Sequence, residues 1–117
     1  MKKQATKLFA IAALFATVLF ASCKKEETAN PVASFTISPN DTVSYNEILT
    51  LTNTSTNADS YVWNFGDGTT STATSPTKLY DDVAGLDCEE TFTITLTATK
   101  DGKTSSTSKN VVVYFCL

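Results

Sequence analysis

The sequence contains no histidine and no arginine, and its 117 residues include only one tryptophan and one methionine. Without histidine, the chain cannot build a Ser-His or Cys-His nucleophile pair. A pair of carboxylates of the glycosidase kind needs a cleft, and a folded part of about 85 residues has little volume to form one. We therefore expect no enzymatic activity and no cofactor.

The lack of arginine also argues against a nucleic-acid partner. The chain has nine basic residues, all lysine, and twelve acidic residues, which gives a net charge of −3. If residues 1–22 are removed, six lysines remain against the same twelve acids, and the net charge becomes −6. Because nucleic-acid binding requires a basic surface that neutralises phosphates, we expect none here.

The N-terminal segment has the pattern of an export signal. Three lysines within the first seven residues precede the uncharged run Leu8–Phe20. This run is shorter than the roughly twenty apolar residues that cross a bilayer as a helix. A cleaved signal peptide is therefore favoured over a permanent membrane span or a short buried helix.

The segment ends in Ala21-Ser22-Cys23, which resembles a bacterial lipobox, although Phe20 stands where leucine is usual. The resemblance implies that residues 1–22 are removed and that Cys23 receives a diacylglyceryl group and acyl chains such as palmitate. Cleavage by ordinary signal peptidase is the alternative, but no A-x-A pattern ends here. Several acyl chains would give a stable membrane anchor, since each buried methylene contributes about 0.8 kcal/mol.

Residues 23–30 would then form a lipidated tether. They begin Cys-Lys-Lys-Glu-Glu, which resembles the lysine-plus-acidic signal that sends some Gram-negative lipoproteins to the outer cell surface. The residue after Cys23 is not aspartate, so the common inner-membrane retention signal is missing. We expect an outer-membrane lipoprotein, exposed at the cell surface rather than on the periplasmic face. A solvated charged tether without a sorting role is the simpler interpretation of the same residues.

Residues 31–117 have the pattern of one β domain. Thr91–Thr99 alternates strictly between threonine and apolar residues, as in a half-buried antiparallel strand. Asp101-Gly102 then predicts a hairpin whose return strand reaches Tyr114. Further strands are expected at Ala33–Ser38, Ile48–Asn53 and Tyr61–Phe65, with one or two within Thr69–Tyr80. About seven short strands predict an all-β fold, a single antiparallel immunoglobulin-like β-sandwich.

One motif within these strands resembles a known family, the PKD domain, which is an immunoglobulin-like sandwich. The residues that carry the resemblance are Trp63, Phe65, Gly66, Asp67, Gly68 and Tyr80. The resemblance covers nearly all of residues 31–115 and implies an adhesion or spacing module. Lys78 stands where the family commonly has histidine, and the segment Asp81–Glu90 is longer than the usual short turn.

The signature is expected to serve the fold rather than a ligand. Alternation places Tyr61, Trp63 and Phe65 on one face, which points into the core of such a sandwich. The glycines on either side of Asp67 permit the positive φ values of a tight turn, and the Asp67 carboxylate can cap that turn with an Asx-type hydrogen bond.

The longer segment is acidic, and its five acids are Asp81, Asp82, Asp87, Glu89 and Glu90. Calcium favours carboxylate and carbonyl oxygens from flexible loops, but this spacing matches no named calcium motif. A solvated acidic loop is therefore favoured over a weak calcium site. A partner-binding loop is also open, because loops on a rigid sandwich commonly carry recognition.

Two cysteines, Cys88 and Cys116, remain once Cys23 is lipidated, and an exported compartment permits a disulfide. With a two-residue turn at 101–102, Cys88 faces Phe115. Cys116 is then one residue out of register and on the opposite face. A bulge within the acidic segment would correct this. We predict a disulfide between the two cysteines.

A short motif, Asp41-Thr42-Val43, resembles the O-glycosylation motif of some Gram-negative surface proteins. The resemblance makes Thr42 a candidate acceptor. Because three-residue patterns also occur by chance, an unmodified surface threonine is the simpler interpretation.

Together these features favour a non-enzymatic, lipid-anchored cell-surface module that binds a protein or a carbohydrate. The alternative is a structural accessory or spacer subunit of an outer-membrane assembly. A glycan binder should expose aromatic rings beside polar groups, and Tyr45 and Tyr114 are candidates for this. An accessory subunit should instead expose a large apolar patch.

Overall fold

The computed structural model describes residues 29–81 and 88–116, and the regular elements in these ranges are all β-strands. The expected signal peptide at residues 1–22 and the lipidation site Cys23 lie outside the described residues. Within the described ranges, no helix has the length and hydrophobicity needed to cross a membrane. The strands are β1 (Phe35–Ser38), β2 (Thr42–Ser44), β3 (Leu49–Asn53), β4 (Ser60–Asn64), β5 (Thr70–Ser71), β6 (Thr77–Lys78), β7 (Glu89–Lys100) and β8 (Lys103–Tyr114).

The strands form the two sheets of a β-sandwich, with orders β1-β3-β6 and β2-β8-β7-β4-β5. The predicted fold class is therefore confirmed. One pairing differs from the expected antiparallel arrangement, because β2 runs parallel to β8. The segment before β2 was expected only to turn the chain. It does so after Ser38, at a cis peptide bond to Pro39, and it carries the chain from the smaller sheet to the larger one.

The longest pairing is the β7–β8 hairpin. Its turn consists of Asp101 and Gly102, which have φ values of 50° and 76°. The pairs run without interruption from Lys100–Lys103 to Glu89–Tyr114, which is the register expected for a two-residue turn. On the outer face of the hairpin, hydroxyl groups of paired residues hydrogen-bond to each other across the two strands. Because side chains alternate between the faces of a strand, the apolar residues of β7 lie on the opposite, inner face.

The core lies between the two sheets and is built around Trp63. This side chain is fully buried, and its ring packs edge to face against Phe35 with the ring centroids 5.1 Å apart. Its indole N–H donates a hydrogen bond of 2.9 Å to the Ala73 carbonyl oxygen, so the ring carries no unsatisfied donor. Tyr61, which was expected on the same face, is only partly buried at the edge of the core.

The signature turn brings the backbone of one strand close to another. Gly66 has a φ of 78°, and a Cβ built on it would lie 2.6 Å from the Thr93 carbonyl oxygen. Gly68 also has a positive φ, of 87°, but a Cβ there would meet no atom within 4 Å. The two glycines are therefore required for different reasons, the first by contact and conformation and the second by conformation alone.

Replacing each glycine by alanine separates these two effects. We expect Gly66→Ala to lower the free energy of unfolding by about 3 kcal/mol, because the methyl group would displace the backbone of β7. Gly68→Ala should lower it by about 1 kcal/mol, through conformational strain alone. Urea denaturation of both variants would measure the difference. Equal losses would show that the close approach of Gly66 to Thr93 contributes nothing.

Candidate functional site

The signature turn ends in an ion pair that takes the place of the family's histidine. The Lys78 ammonium lies 2.5 Å from the Asp67 carboxylate and donates a hydrogen bond of 2.9 Å to the Thr69 hydroxyl. The same ammonium lies 5.1 Å from the centre of the Phe65 ring and 5.0 Å from that of Tyr80. Lys78 thus supplies both a charge and a hydrogen-bond donor inside an aromatic and polar pocket.

Asp67 caps the turn as the sequence suggested. Its carboxylate accepts hydrogen bonds from the Thr69 backbone N–H, at 3.0 Å, and from the Thr69 hydroxyl. Partial burial raises the pKa of Asp67, but hydrogen bonds from Lys78 and Thr69, together with the Lys78 charge, outweigh this effect. The net result is a pKa below the ordinary value. At neutral pH the carboxylate is therefore ionised, and its oxygens are engaged by Lys78 and Thr69.

Tyr80 connects the turn to the core. Its hydroxyl donates a hydrogen bond of 2.7 Å to the Phe65 carbonyl oxygen, and its ring stacks on Phe92 with the centroids 4.2 Å apart. Burial, and then the nearby Asp67 charge, raise the pKa of this phenol well above its ordinary range. With Tyr80 neutral and its hydroxyl engaged, the signature residues act as structure rather than as a binding site.

The Asp67–Lys78 pair gives stability that depends on pH. Because the folded pKa of Asp67 lies below the unfolded value of about 3.9, its contribution is complete above that value. It is lost as the pH falls through the folded pKa. Asp67→Asn should lower the free energy of unfolding at pH 7 by about 1 kcal/mol, and by less at pH 2.5.

Urea denaturation at both pH values would test this, with Asp59→Asn as the control because Asp59 is an exposed acid. The control should change the free energy of unfolding little at either pH. If Asp67→Asn lowered the free energy of unfolding equally at both pH values, the result would contradict a stabilising Asp67–Lys78 ion pair.

A second region, at the end of the larger sheet, has the properties of a binding site. We call it the tyrosine cleft, a depression of about 250 Å³ lined by Ser44, Tyr45, Tyr114, Phe115 and Cys116. The side chains of Tyr45 and Tyr114 are 41% and 45% exposed. The parallel pairing of β2 with β8 brings them together, since the Tyr45 N–H donates a hydrogen bond of 2.7 Å to the Tyr114 carbonyl oxygen.

Both ends of the acidic segment are attached at this cleft. At one end, the Tyr45 hydroxyl donates a hydrogen bond of 3.0 Å to the Asp81 carbonyl oxygen. At the other, the Phe115 N–H donates to the Cys88 carbonyl oxygen at 3.1 Å, and Cys88 forms a disulfide with Cys116. The segment thus begins and ends beside the two exposed tyrosines.

The predicted disulfide is present, but the expected bulge is not needed to form it. The β7–β8 register continues to Glu89–Tyr114, and the next hydrogen bond joins Phe115 to Cys88, as the hairpin arithmetic requires. Cys116 follows the last of these bonds. Its backbone no longer has to alternate between faces, and its Cα lies 4.8 Å from that of Cys88.

Removing the disulfide should destabilise the domain without unfolding it. The two cysteines are 28 residues apart, so the bond should contribute about 3 kcal/mol in the chain-entropy model. A Cys88→Ser/Cys116→Ser variant should therefore unfold at lower urea concentration, and reductant should bring the natural protein to the same midpoint. Reductant should leave the variant unchanged. Two alkylatable thiols in protein purified without reductant would contradict the bond.

Two of the five acids of the segment, Asp82 and Asp87, lie outside the described residues. Among residues 29–81 and 88–116, no three potential ligands lie close enough to hold a metal ion. Glu89 accepts a hydrogen bond from the Tyr114 hydroxyl, which raises the pKa of that phenol. One carboxylate oxygen of Glu90 is buried without a hydrogen-bond partner. The calcium hypothesis stays a prediction.

Thr42, the candidate glycosylation site, lies on the edge strand β2. Its side chain is exposed, while the next residue, Val43, points into the core. Its backbone N–H donates a hydrogen bond of 2.8 Å to the Asn40 side-chain oxygen. The position is open to solvent, and its modification stays a prediction.

Sequence reasoning did not propose two of the cleft residues, Ser44 and Phe115, although a signal existed for Phe115. It follows the last residue of β8 and is half-buried, with no neighbour in an alternating pattern to mark its face. The hairpin register predicted from the sequence could have identified Phe115, because it places this residue opposite Cys88 and therefore next to the disulfide.

The two sheets and the signature turn define an immunoglobulin-like β-sandwich module. The chain belongs to the PKD domain family, whose family model matches residues 28–114. This confirms the resemblance carried by the signature. No curated protein shows a significant match to the sequence.

Two solved PKD domains are similar to this chain. The PKD1 domain of Vibrio anguillarum Epp has a TM-score of 0.59 and 26% identity, and the match covers 77% of this chain and all of that one. The PKD1 domain of the Vibrio cholerae metalloprotease PrtV has a TM-score of 0.56 and 28% identity, covering 74% and 99%. Since these domains were solved as separate chains, a domain of this kind folds on its own.

A third similar structure comes from work on the promiscuous specificity of carbohydrate-binding modules of the β-sandwich superfamily. It has a TM-score of 0.65 and 29% identity, and the match covers 78% of this chain. The chain spans only 37% of that structure's length. Together, the family and these neighbours fit a binding or adhesion module.

Proposed function

We propose that this protein is a non-catalytic binding module that recognises carbohydrate through the tyrosine cleft and is held at the outer-membrane surface by an acylated Cys23. The observation that carries the proposal is the cleft. In it, two tyrosine rings, 41% and 45% exposed, border a depression of about 250 Å³. Exposed aromatic rings in a concave site beside polar groups are the features expected of a glycan binder.

The two rings are held in place before any ligand arrives. The Tyr45 hydroxyl is bonded to the Asp81 carbonyl oxygen, and the Tyr114 hydroxyl is bonded to Glu89. The flat faces of tyrosine rings can pack against the apolar C–H faces of a sugar ring, while the Glu89 carboxylate accepts hydrogen bonds from sugar hydroxyls. Fixing the rings in advance lowers the entropy lost on binding.

The similarity to a structure of the carbohydrate-binding modules supports this ligand class over a protein ligand. The acidic segment supports it in a different way, since its attached ends lie at the cleft and can extend the contact surface. A neutral glycan would also avoid the repulsion that an acidic partner would meet from a mature chain of net charge −6.

The position of the cleft suits a tethered receptor. The Ala33 N–H donates a hydrogen bond of 3.1 Å to the Ser105 hydroxyl, so the N-terminal end of the domain lies beside Ser105 on β8. Tyr114 lies nine residues further along the same strand, a distance of roughly 30 Å at the usual rise per residue. A tether from Cys23 would therefore hold the cleft away from the membrane.

One observation favours the accessory-subunit alternative. The side chains of Ile48 and Leu79 are 60% and 37% exposed, and they adjoin the paired residues Leu49 and Lys78 on neighbouring strands. Two apolar side chains at one place on the surface can start a contact with another subunit. Capture of a membrane protein by the full-length chain, lost on Ile48→Ser, would support this alternative.

A glycan array with the soluble fragment 24–117, followed by calorimetry with the best ligand, tests the main proposal. We expect Tyr45→Ala and Tyr114→Ala each to weaken binding about tenfold, because each removes one stacking ring. Tyr114→Phe should weaken it less, since it keeps the ring and loses only the hydroxyl. Val62→Ala is the matched control, an exposed apolar residue on β4.

Two results would overturn the proposal. One is a folded fragment that binds no glycan on the array. The other is a glycan whose affinity is unaffected by both tyrosine variants, which would place binding elsewhere on the domain.

A further inference from the structure

A second depression lies on the side of the sandwich where β1, from the smaller sheet, and β8, from the larger sheet, are neighbours. Its volume of about 570 Å³ falls within the range of small-molecule sites, roughly 300–1,000 Å³. We call it the edge slot, and it is lined by Thr36, Ile37, Asn40, Asp41, Lys109 and Asn110. The chain between β1 and β2 closes one end, where the Val112 N–H donates a hydrogen bond of 2.8 Å to the Asp41 carbonyl oxygen.

The cationic group of the edge slot is the Lys109 ammonium. It lies 5.4 Å from the centre of the Phe35 ring, a side chain that is itself buried. The ring attracts the ammonium and holds it at the slot, but it does not neutralise the charge. In the part of the chain that the structure describes, no acidic side chain forms an ion pair with Lys109. The charge is therefore available to an anionic group of a ligand.

The two amide side chains of the slot have their oxygens engaged within the protein. The Asn40 oxygen accepts a hydrogen bond of 2.8 Å from the Thr42 backbone N–H. The Asn110 oxygen accepts one of 2.9 Å from the Thr93 hydroxyl. What each amide has left to offer is its NH₂ group, which only donates. Together with the ammonium, these amides favour a ligand that is rich in hydrogen-bond acceptors.

The backbones of both strands add donors to the slot. The Val112 N–H points away from β7, and because this direction alternates along a strand, the Asn110 N–H points the same way. On β1, the Ser34 carbonyl oxygen accepts a hydrogen bond of 2.8 Å from the Thr54 N–H, so its peptide group faces β3. Ile37 lies three residues further along and points its peptide group in the opposite direction, toward β8.

We propose that the edge slot is a binding site for a sugar that carries a carboxylate, such as a uronic acid. The sugar carboxylate lies at the Lys109 ammonium, where the bond is charge-assisted, and accepts further hydrogen bonds from the N–H groups of the slot. Asp41 repels a simple anion, but its carboxylate accepts hydrogen bonds from the hydroxyls of a sugar. A ligand with one carboxylate and several hydroxyls therefore satisfies both charged residues.

The edge slot is a different site from the tyrosine cleft. The two share no lining residue, and β2 separates them, because Asp41 precedes this strand and Tyr45 follows it. The slot proposal therefore does not depend on glycan binding at the cleft. The net negative charge of the protein has little effect on a carboxylate held at Lys109, since salt screens exposed charges that are more than about 10 Å away.

Nuclear magnetic resonance of the ¹⁵N-labelled 24–117 fragment tests the proposal, with glucuronate as the probe up to about 20 mM. We expect saturable shifts of the backbone N–H signals of Ile37 and Asn110, and of the side-chain NH₂ signals of Asn40 and Asn110. Glucose, titrated at the same ionic strength, has similar hydroxyls but no carboxylate. It should bind at least about tenfold more weakly, because the charge-assisted bond is absent.

Variants of one residue separate the charge from the rest of the slot. Lys109→Gln should weaken glucuronate binding at least about tenfold, whereas Lys109→Arg, which keeps the charge, should retain most of the affinity. Lys100→Gln is the matched control, because it makes the same change of net charge at the end of β7 beside the hairpin turn. Unchanged signals from core residues would show that each variant is folded.

Three results would contradict the proposal. One is the absence of saturable shifts at the slot signals, and another is glucuronate binding that Lys109→Gln leaves unchanged. The third is equal affinity for glucose and glucuronate. Shifts confined to Tyr45 and Tyr114 would also rule out the slot, but they would support glycan binding at the cleft, so the two proposals can fail separately.

Discussion

Asp101 and Gly102 both adopt a positive φ, and this two-residue turn holds β7 and β8 in one register over their full length. A slip of one residue would turn Phe92 and Ile94 out of the core and replace them with threonine. The same register decides that Cys88 meets the end of β8, where the disulfide closes. It also decides which peptide groups of β8 face away from β7. The core and the cleft thus depend on a single turn.

The signature turn accommodates Lys78, which stands where the PKD family commonly has histidine. A lysine is longer than a histidine, and its ammonium reaches both the Asp67 carboxylate and the faces of two aromatic rings. The charge that Lys78 brings is balanced by Asp67, so the substitution leaves no unpaired ion in a partly buried place. Tyr80 then carries the connection to the backbone of Phe65. Lys78, Asp67 and Tyr80 thus join the turn to the aromatic core in one network of contacts.

Much of this fold could be predicted from local pattern. Thr91–Thr99 has a strict period of two, and the glycines around Asp67 have one plausible role, so the hairpin and the turn were evident before the structure. Strand β2 was not, because three residues with one buried valine carry no periodic signal. From the sequence, Tyr45 and Tyr114 could be proposed only as separate candidates, and not as the two sides of one cleft. Tyr45 and Tyr114 are brought together by a parallel pairing between distant segments, and no local pattern encodes such a contact.

The disulfide and the Tyr45 hydroxyl attach the two ends of the acidic segment to the sandwich independently of what lies between them. Residues 82–87 can therefore change in sequence or length at small entropic cost, since lengthening a loop whose ends are already held adds little to its closure. The core and the β7–β8 register would not be affected. Among relatives with this attachment, variation should concentrate between Asp81 and Cys88, so that one stable scaffold can present many different surfaces from the same two attachment points.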